Sequence, residues 1–438
     1  MESSTETPTA RFISGLTSRH VTVSLCLIAL IVRLAVLFVW HDHLHEDRDA
    51  YVGIAKQVAA GNGFSNVSGQ PTAFRPPLYP VLLSVVYRFG GGPIAVGILQ
   101  LILGCFTVWL VVKTTAFVRP RSVQILAGLI VALDPLLVLY TTFVMTEVTM
   151  AALFAVLMYC HVRFKQQPGN SEQIPGRTGW RQPVTMGLLF GACALCRPSV
   201  WPFGALAIGW WWIGNSRRDW KYAAGVAIGV GVLIVPWTIR NANQIGKPVF
   251  ATTHGGYTLH LANNNVFYNE VVQKPWGTTW RGDSLNAWND ESHSKMRVAK
   301  ITAGDEPAID RWHRQQAFVF MRANPVGFLK GCGLRFLRFW SPIPNTTSSS
   351  AGTPRAVVWA VGLFYGFVLV GLVLFVFRTH QKRWAIGFGL LLVSFSIVHS
   401  VFWSNARMRA PLVPAIAILS ACGWCGSKKS ASDSELSS

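Results

Sequence analysis

The stretch from His41 to Pro80, HDHLHEDRDAYVGIAKQVAAGNGFSNVSGQPTAFRPPLYP, crowds Asp42, Glu46, Asp47 and Asp49 directly after an apolar run. A carboxylate placed there can act as a general base toward an acceptor hydroxyl. Arg75 precedes Pro76-Pro77, a step that fixes the backbone, so its guanidinium can be held toward a phosphate. Glu147, Arg240, Arg407 and Arg409 each begin or end an apolar run. Carboxylates facing several arginines at a lipid boundary suit transfer of a group from a lipid phosphate. The carboxylate takes the proton and the arginines stabilise the departing phosphate. Taken singly, each of these residues is also what a solvated helix end carries. His41, His43 and His45 would share one face on an extended strand, but the alternation is too short to be read as a metal site.

The elements that must position these residues are apolar. Of 438 residues, 51% are hydrophobic and 13% charged, and mean hydropathy is +0.36. A soluble domain carries about 25% charged residues, so lipid must be the solvent here. The net charge of +20 does not signal nucleic acid, because most basic residues sit at the ends of apolar runs, as membrane topology predicts. Eighteen Trp suit two interfacial belts. Eight Cys are scattered, and the pairs Cys193/Cys196 and Cys422/Cys425 are not read as zinc or redox sites, having no second pair or His nearby.

Spans are expected at 21–40, 95–115, 122–141, 143–162, 184–197, 199–214, 221–240, 356–377, 384–403 and 408–425. Residues 78–92 are apolar but short, and Pro80 and Arg88 interrupt them. Laying them along the outer surface puts Lys113, Arg121, Arg163 and the tail Lys428 and Lys429 inside, which the positive-inside rule favours. Both termini are then cytoplasmic, in a plasma or inner membrane. Arg33, within the first span, is expected either to snorkel or to face a polar cavity. Glycines four apart, Gly187/Gly191, Gly225/Gly229 and Gly362/Gly366, read as close helix packing.

This topology sorts the polar segments onto one face. Three parts follow: a membrane module 1–240 whose first outer loop is 41–94, a large extracytoplasmic loop 241–355, and C-terminal helices with a tail, 356–438. Within the large loop, 308–340 reads as an amphipathic helix pair whose Arg322, Lys330, Arg335 and Arg338 would lie at lipid headgroups. A Ser/Thr-rich linker, 345–353, ends it. A chain that collects its chemistry-capable residues on one side is expected to work there.

Four motifs in order carry a resemblance. They are Asp47-x-x-x-Tyr51 with Gly61-x-Gly63-Phe64 and Phe74-Arg75-Pro76-Pro77-Leu78-Tyr79-Pro80; Asp134-Pro135 with Met145-Thr146-Glu147; Pro236 to Asn241 with Thr253-His254-Gly255-Gly256 and Leu261 to Asn265; and Arg407 to Pro414. Together they resemble the dolichyl-phosphate-mannose–protein mannosyltransferase-like family. This is the glycosyltransferase 39 group of the GT-C superfamily, which includes lipid A aminoarabinose transferases. The resemblance implies an all-α polytopic membrane protein of GT-C fold. It implies an inverting glycosyltransferase that moves a sugar from a polyprenyl-phosphate donor to a glycan, lipid or protein acceptor on the extracytoplasmic face. It places the acid–base role at Asp47, which keeps the spacing to Tyr51, with Asp49 as the alternative two residues on. Tyr51, Arg75, Glu147, Arg240, His254, Asn263, Arg407 and Arg409 are the implied substrate-binding residues. The sequence assigns no metal ligand and no cofactor. No nucleotide-sugar loop or Rossmann signature is present, which fits a lipid-borne donor. The competing reading is a transporter or flippase of lipid-linked sugars, against which stand the lack of internal repeats and the one-sided polar clustering.

Overall fold

The computed structural model describes residues 18–117, 120–165, 179–214, 220–280, 282–343, 355–378 and 383–425. The first apolar run forms α1, Ser18–Trp40. Its 23 residues rise about 35 Å, enough to cross the roughly 30 Å hydrocarbon layer. Residues 41–92, within the expected first outer loop 41–94, hold α2, Tyr51–Ala59, and α3, Leu78–Arg88. At 11 residues α3 is about 16 Å long and too short to span. It buries Tyr79, Leu83 and Ser84 and leaves Val81, Val85 and Phe89 exposed, as a helix lying along a surface does.

The chain then re-enters through α4, Pro93–Ala116, with proline at its first turn. α5, Arg121–Leu133, and α6, Pro135–Leu139, are together long and apolar enough for one span, bent by 44° at the break between them. Asp134 sits at the break, because Pro135 lacks the amide that would continue the helix. The Asp134 carboxylate accepts from the Leu137 amide at 2.9 Å and so starts α6. Arg33 closes the other side. Its guanidinium donates to the carbonyls of Ala132 (3.0 Å) and Val131 (3.2 Å), left open where α5 stops. Arg33 is wholly buried, so it neither snorkels nor lines a polar cavity. It is a helix cap supplied from another span.

α7, Glu147–Lys165, and α8, Arg181–Cys196, follow, then α9, Trp201–Gly214, and α10, Trp220–Ile245. α10 runs five residues past the expected end at 240. α8 and α10 pack with backbones in contact. A Cβ at Gly187 or Gly229 would strike the Val226 or Val184 carbonyl across the crossing. Gly366, by contrast, has nothing near it. The close approach of the later helix falls at Gly371, against Ser420 and Trp424.

The large loop is helical: α11, Gly255–Ala262; α12, Asp283–Val298; α13, Glu306–Ala323; and α14, Pro325–Trp340. Asp305 and Asn324 cap α13 and α14, accepting from the amides of Ala308 and Gly327, and proline opens both helices. α15, Arg355–Arg378, α16, Ile386–Val401, and α17, Val413–Trp424, complete the bundle. Every residue from Val413 to Gly423 is buried, so α17 is the central post.

Among the described residues α1, α4, α7, α10 and α15 are long and apolar enough to cross a membrane, and α5–α6 makes a sixth. The other four expected spans are helices of 12 to 16 residues. Arg197-Pro198 separates the first two of them, and the 3-10 turn Ala406–Leu412 precedes the last. No strand occurs among the described residues; Ser65 and Pro71 form one isolated antiparallel bridge. The linker 345–353 and the tail Lys428 and Lys429 lie outside the described residues.

Candidate active site

Asp49, Tyr51 and Arg75 belong to the first outer loop, Glu147 opens α7, and Arg407 stands in the turn before α17. The fold draws these five together. Arg75 Nη2 lies 3.0 Å from Asp49 Oδ1, and its Nε donates to the Asp49 carbonyl at 2.6 Å. Arg407 Nη2 is 3.7 Å from Asp49 Oδ2, and its Nε is 3.0 Å from Glu147 Oε1. The Arg75 guanidinium rests 5.3 Å from the centre of the Tyr51 ring. Burial pushes the Tyr51 hydroxyl up to about 12, against the opposing charge of Arg75, so it stays protonated. Burial works against the Arg407 charge, but Glu147 beside it, then Tyr140 and Asp49, outweigh that and raise its pKa.

Arg197 completes the cluster. Its Nη1 lies 3.3 Å from Glu147 Oε1, and Nη2 contacts the Met408 sulfur. In the sequence Arg197-Pro198 stands only at the joint of the expected spans 184–197 and 199–214. An arginine flanked by apolar runs and followed by proline was the available signal. Glu147 is 1% exposed and its Oε2 has no hydrogen-bond partner among the described residues. Asp49, at 24% exposure, is the more accessible carboxylate of the cluster.

Asp47 stands apart. Its Oδ1 and Oδ2 accept from the amides of Val52 (3.0 Å) and Gly53 (2.8 Å), the first-turn donors of α2. The intervening Ala50 takes a left-handed backbone (φ 59°) to permit it. Asp47 therefore sets the start of the helix that presents Tyr51. His41–His45 is a 3-10 helix rather than a strand, so the three histidines do not share a face. His43 stacks on Phe143 at 4.4 Å. Among the described residues no group of three or more His, Cys, Asp or Glu is placed to hold a metal.

Four other expected site residues make contacts of their own. Arg240 donates to the carbonyls of Thr72 (2.7 Å) and Phe64 and lies over the Trp237 and Phe64 rings, fastening the outer loop to α10. Asn263 is buried and bridges Leu259, Val401 and Arg335. Arg409 is buried, donates to the carbonyls of Phe339 and Ser341, and covers the Tyr365 ring. His254 packs edge-on to Phe74 and stacks on Tyr257. Arg335 and Arg338, expected at headgroups, are buried and donate to the carbonyls of Ser400, Ala262 and Thr278. For Arg240, Asn263, Arg409, Arg335 and Arg338 a backbone carbonyl needed a donor, a demand that sequence spacing does not display.

Glu306 ties the large loop to the segment between α1 and α4. Its carboxylate takes the Thr72 hydroxyl, the Ala73 amide (2.9 Å) and the Thr253 hydroxyl (2.9 Å). The Thr253 amide donates to the Ala73 carbonyl at 2.9 Å beside it. Glu306→Ala is expected to free residues 64–74 from the large loop, since charge-assisted bonds contribute about 1.5–3 kcal/mol each. Faster amide exchange in 64–74, with exchange in the spans unchanged, is the check.

The large loop also holds a buried imidazole pair. His260 and His313 meet Nδ1 to Nδ1 at 3.0 Å among Trp288 and Trp312. Burial, then the charge nearby, depresses His260 to about 3 and His313 to about 4; burial and Arg75 take His254 to about 3. Above pH 6.5 these rings are neutral whether the loop is folded or not. Below it the unfolded loop takes protons that the folded loop refuses, so stability falls until the folded values are reached. Tryptophan fluorescence is expected to report loosening between pH 6.5 and about 4, reduced in His313→Phe.

No family model matches the chain, and no curated protein does. Among solved structures it is similar to the oligosaccharyltransferase AglB from Archaeoglobus fulgidus, in complex with an inhibitory peptide and a dolichol-phosphate. Identity is 14%, covering 92% of this chain and 50% of that one, with a TM-score of 0.50. A second structure of the Archaeoglobus fulgidus oligosaccharyltransferase, tethered to an acceptor peptide containing the NVT sequon, gives 14%, 92%, 49% and 0.52. ArnT from Cupriavidus metallidurans bound to undecaprenyl phosphate gives 14%, 92%, 77% and 0.44. The chain spans about half the length of the oligosaccharyltransferase chains it matches. At such identity the likeness speaks to fold alone, and together with the apolar helices it shows that this chain is a polytopic membrane protein with the GT-C fold.

Proposed function

We propose that the protein is a membrane glycosyltransferase that takes a sugar from a polyprenyl-phosphate donor and passes it to an acceptor hydroxyl. The observation that carries this reading is the cluster of Arg75, Arg197 and Arg407 with Asp49 and Glu147. Three guanidiniums against two carboxylates leave one net positive charge, a site suited to a lipid phosphate at a membrane boundary. The shared fold adds support, because AglB was captured with a dolichol-phosphate.

Arg75 and Arg407, both partly exposed, bind the donor phosphate, and Glu147 holds Arg407 and Arg197 in place. Asp49 accepts the acceptor's hydroxyl proton. The oxygen then bonds to the anomeric carbon while the bond from that carbon to the phosphate oxygen breaks. Polyprenyl phosphate leaves with the electron pair, stabilised by the arginines, and a single displacement inverts the anomeric centre. Tyr51 braces Arg75. Asp47 acts at one remove, as the cap of α2. The large loop 241–355, fastened to the first loop through Glu306, covers the acceptor. The site faces the periplasm or exterior, with both termini in the cytoplasm.

The test is purified full-length protein in lipid with a panel of radiolabelled polyprenyl-phosphate sugars. Release of free polyprenyl phosphate together with labelled acceptor is the expected result. Movement of intact donor across the bilayer without its consumption would replace this reading with a flippase.

A further inference from the structure

α1 and α4 run antiparallel and touch closely at the end near the candidate site. The Leu37 and Leu44 side chains fill the space beside Gly97, and Arg33 fills that beside Gly104. Cys26 and Cys105, whose sulfurs each approach the other's carbonyl at 3.9–4.0 Å, line an open groove of about 540 Å³ along the seam of the two helices. Its walls are apolar: Val23, Leu27, Leu30, Leu101, Ile102 and Trp109. Its far end carries Arg19 and Lys113, and no carboxylate lines it.

That end lies at the start of α1 and the finish of α4, opposite the outer loops. Aromatic rings mark the same level. Trp109 stacks with Phe106 at 5.7 Å and approaches Tyr159 at 6.3 Å, and Arg163 covers the Tyr159 ring. Indole and phenol rings gather where hydrocarbon meets headgroups. An apolar trough that ends in two cations at headgroup depth matches one chemistry, a hydrocarbon chain tied to an anion.

We infer that this groove is a binding site for an anionic diacyl phospholipid of the leaflet opposite the candidate active site. One acyl chain lies between α1 and α4, and the phosphate meets Arg19 and Lys113. The occupied groove wedges the two helices that carry Arg33 and the first outer loop. The site is separate from the donor-phosphate cluster and stands whether or not the proposed transfer reaction is correct.

The experiment uses delipidated full-length protein, with phosphatidylglycerol or phosphatidylcholine added, read by native mass spectrometry and thermal unfolding. Wild type is expected to retain phosphatidylglycerol preferentially and to unfold at a higher temperature with it. Arg19→Gln/Lys113→Gln is expected to weaken that retention about 25-fold, since each cation near an anionic surface contributes about 1 kcal/mol and 1.4 kcal/mol is tenfold. Leu27→Trp fills the trough without changing charge and is expected to lose the bound lipid as well. Asp49→Asn is expected to retain it like wild type. Equal retention of phosphatidylcholine, or undiminished phosphatidylglycerol in both groove variants, overturns the site. Displacement of phosphatidylglycerol by equimolar polyprenyl phosphate overturns the diacyl assignment.

Discussion

Asp49→Asn lowers turnover of the polyprenyl-phosphate donor about 100- to 10,000-fold, the range spanned by loss of a general base, while the protein still folds. Asparagine matches aspartate in shape, and the Asp49 backbone carbonyl continues to accept from Arg75 Nε, so the loop keeps its course. What disappears is the charge facing Arg75 and Arg407 and the proton acceptor. Asp47→Asn supplies the contrast. Its two oxygens accept from the Val52 and Gly53 amides, and weakening such a cap costs about 0.5–2 kcal/mol. That change lowers thermal stability and leaves turnover within about tenfold of wild type. Saturating-donor kinetics on both variants decide between the two carboxylates. A silent Asp47→Asn beside an active Asp49→Asn would return the proton to Asp47 and make the Asp49 ion pairs structural.

Glu147→Gln has the largest expected effect on stability. The Glu147 side chain is 1% exposed, and it lies within 3.3 Å of Arg197 and 3.0 Å of Arg407. Those two guanidiniums are only 12% and 23% exposed. Removing the one carboxylate between them leaves two cations poorly solvated, and breaking a buried pair in this way costs about 3–5 kcal/mol. Thermal unfolding in detergent should fall accordingly, and donor binding with it, because Arg407 loses the nearer of its two carboxylate partners. Adding Arg197→Met should restore part of the stability, since the second cation is gone and a methionine packs beside Met408, which Arg197 already touches. A double variant as unstable as the sum of the single changes would mean that Arg197 and Glu147 do not act as a pair.

The residues that form the cluster were legible to different degrees. Arg75 before two prolines, Glu147 at the head of an apolar run and Arg407 at the foot of another stand out because charge at a membrane boundary is conspicuous. Arg197 and Glu306 were not legible as functional residues. Each is a single charged residue in an unremarkable position, and its meaning comes from partners far away in the chain: Glu147 and Met408 for the one, Thr72, Ala73 and Thr253 for the other.

The long apolar helices among the described residues, their order and the short helix Leu78–Arg88 follow from composition and length, because lipid forces each apolar run to satisfy its own backbone. Local sequence also determined the caps at Asp134, Asp305 and Asn324, where an acceptor precedes a proline-led turn. The choice between Asp47 and Asp49 was beyond it. The two lie two residues apart with the same chemistry, and only the left-handed turn at Ala50 sends one carboxylate to the amides of α2 and the other to Arg75 and Arg407. The arginines divide for the same reason. Arg33, Arg240, Arg335 and Arg409 meet carbonyls left open by helices elsewhere in the chain, whereas Arg75, Arg197 and Arg407 meet carboxylates. Which partner a guanidinium finds depends on which chain ends the folded bundle brings beside it, and the tertiary structure alone decides that.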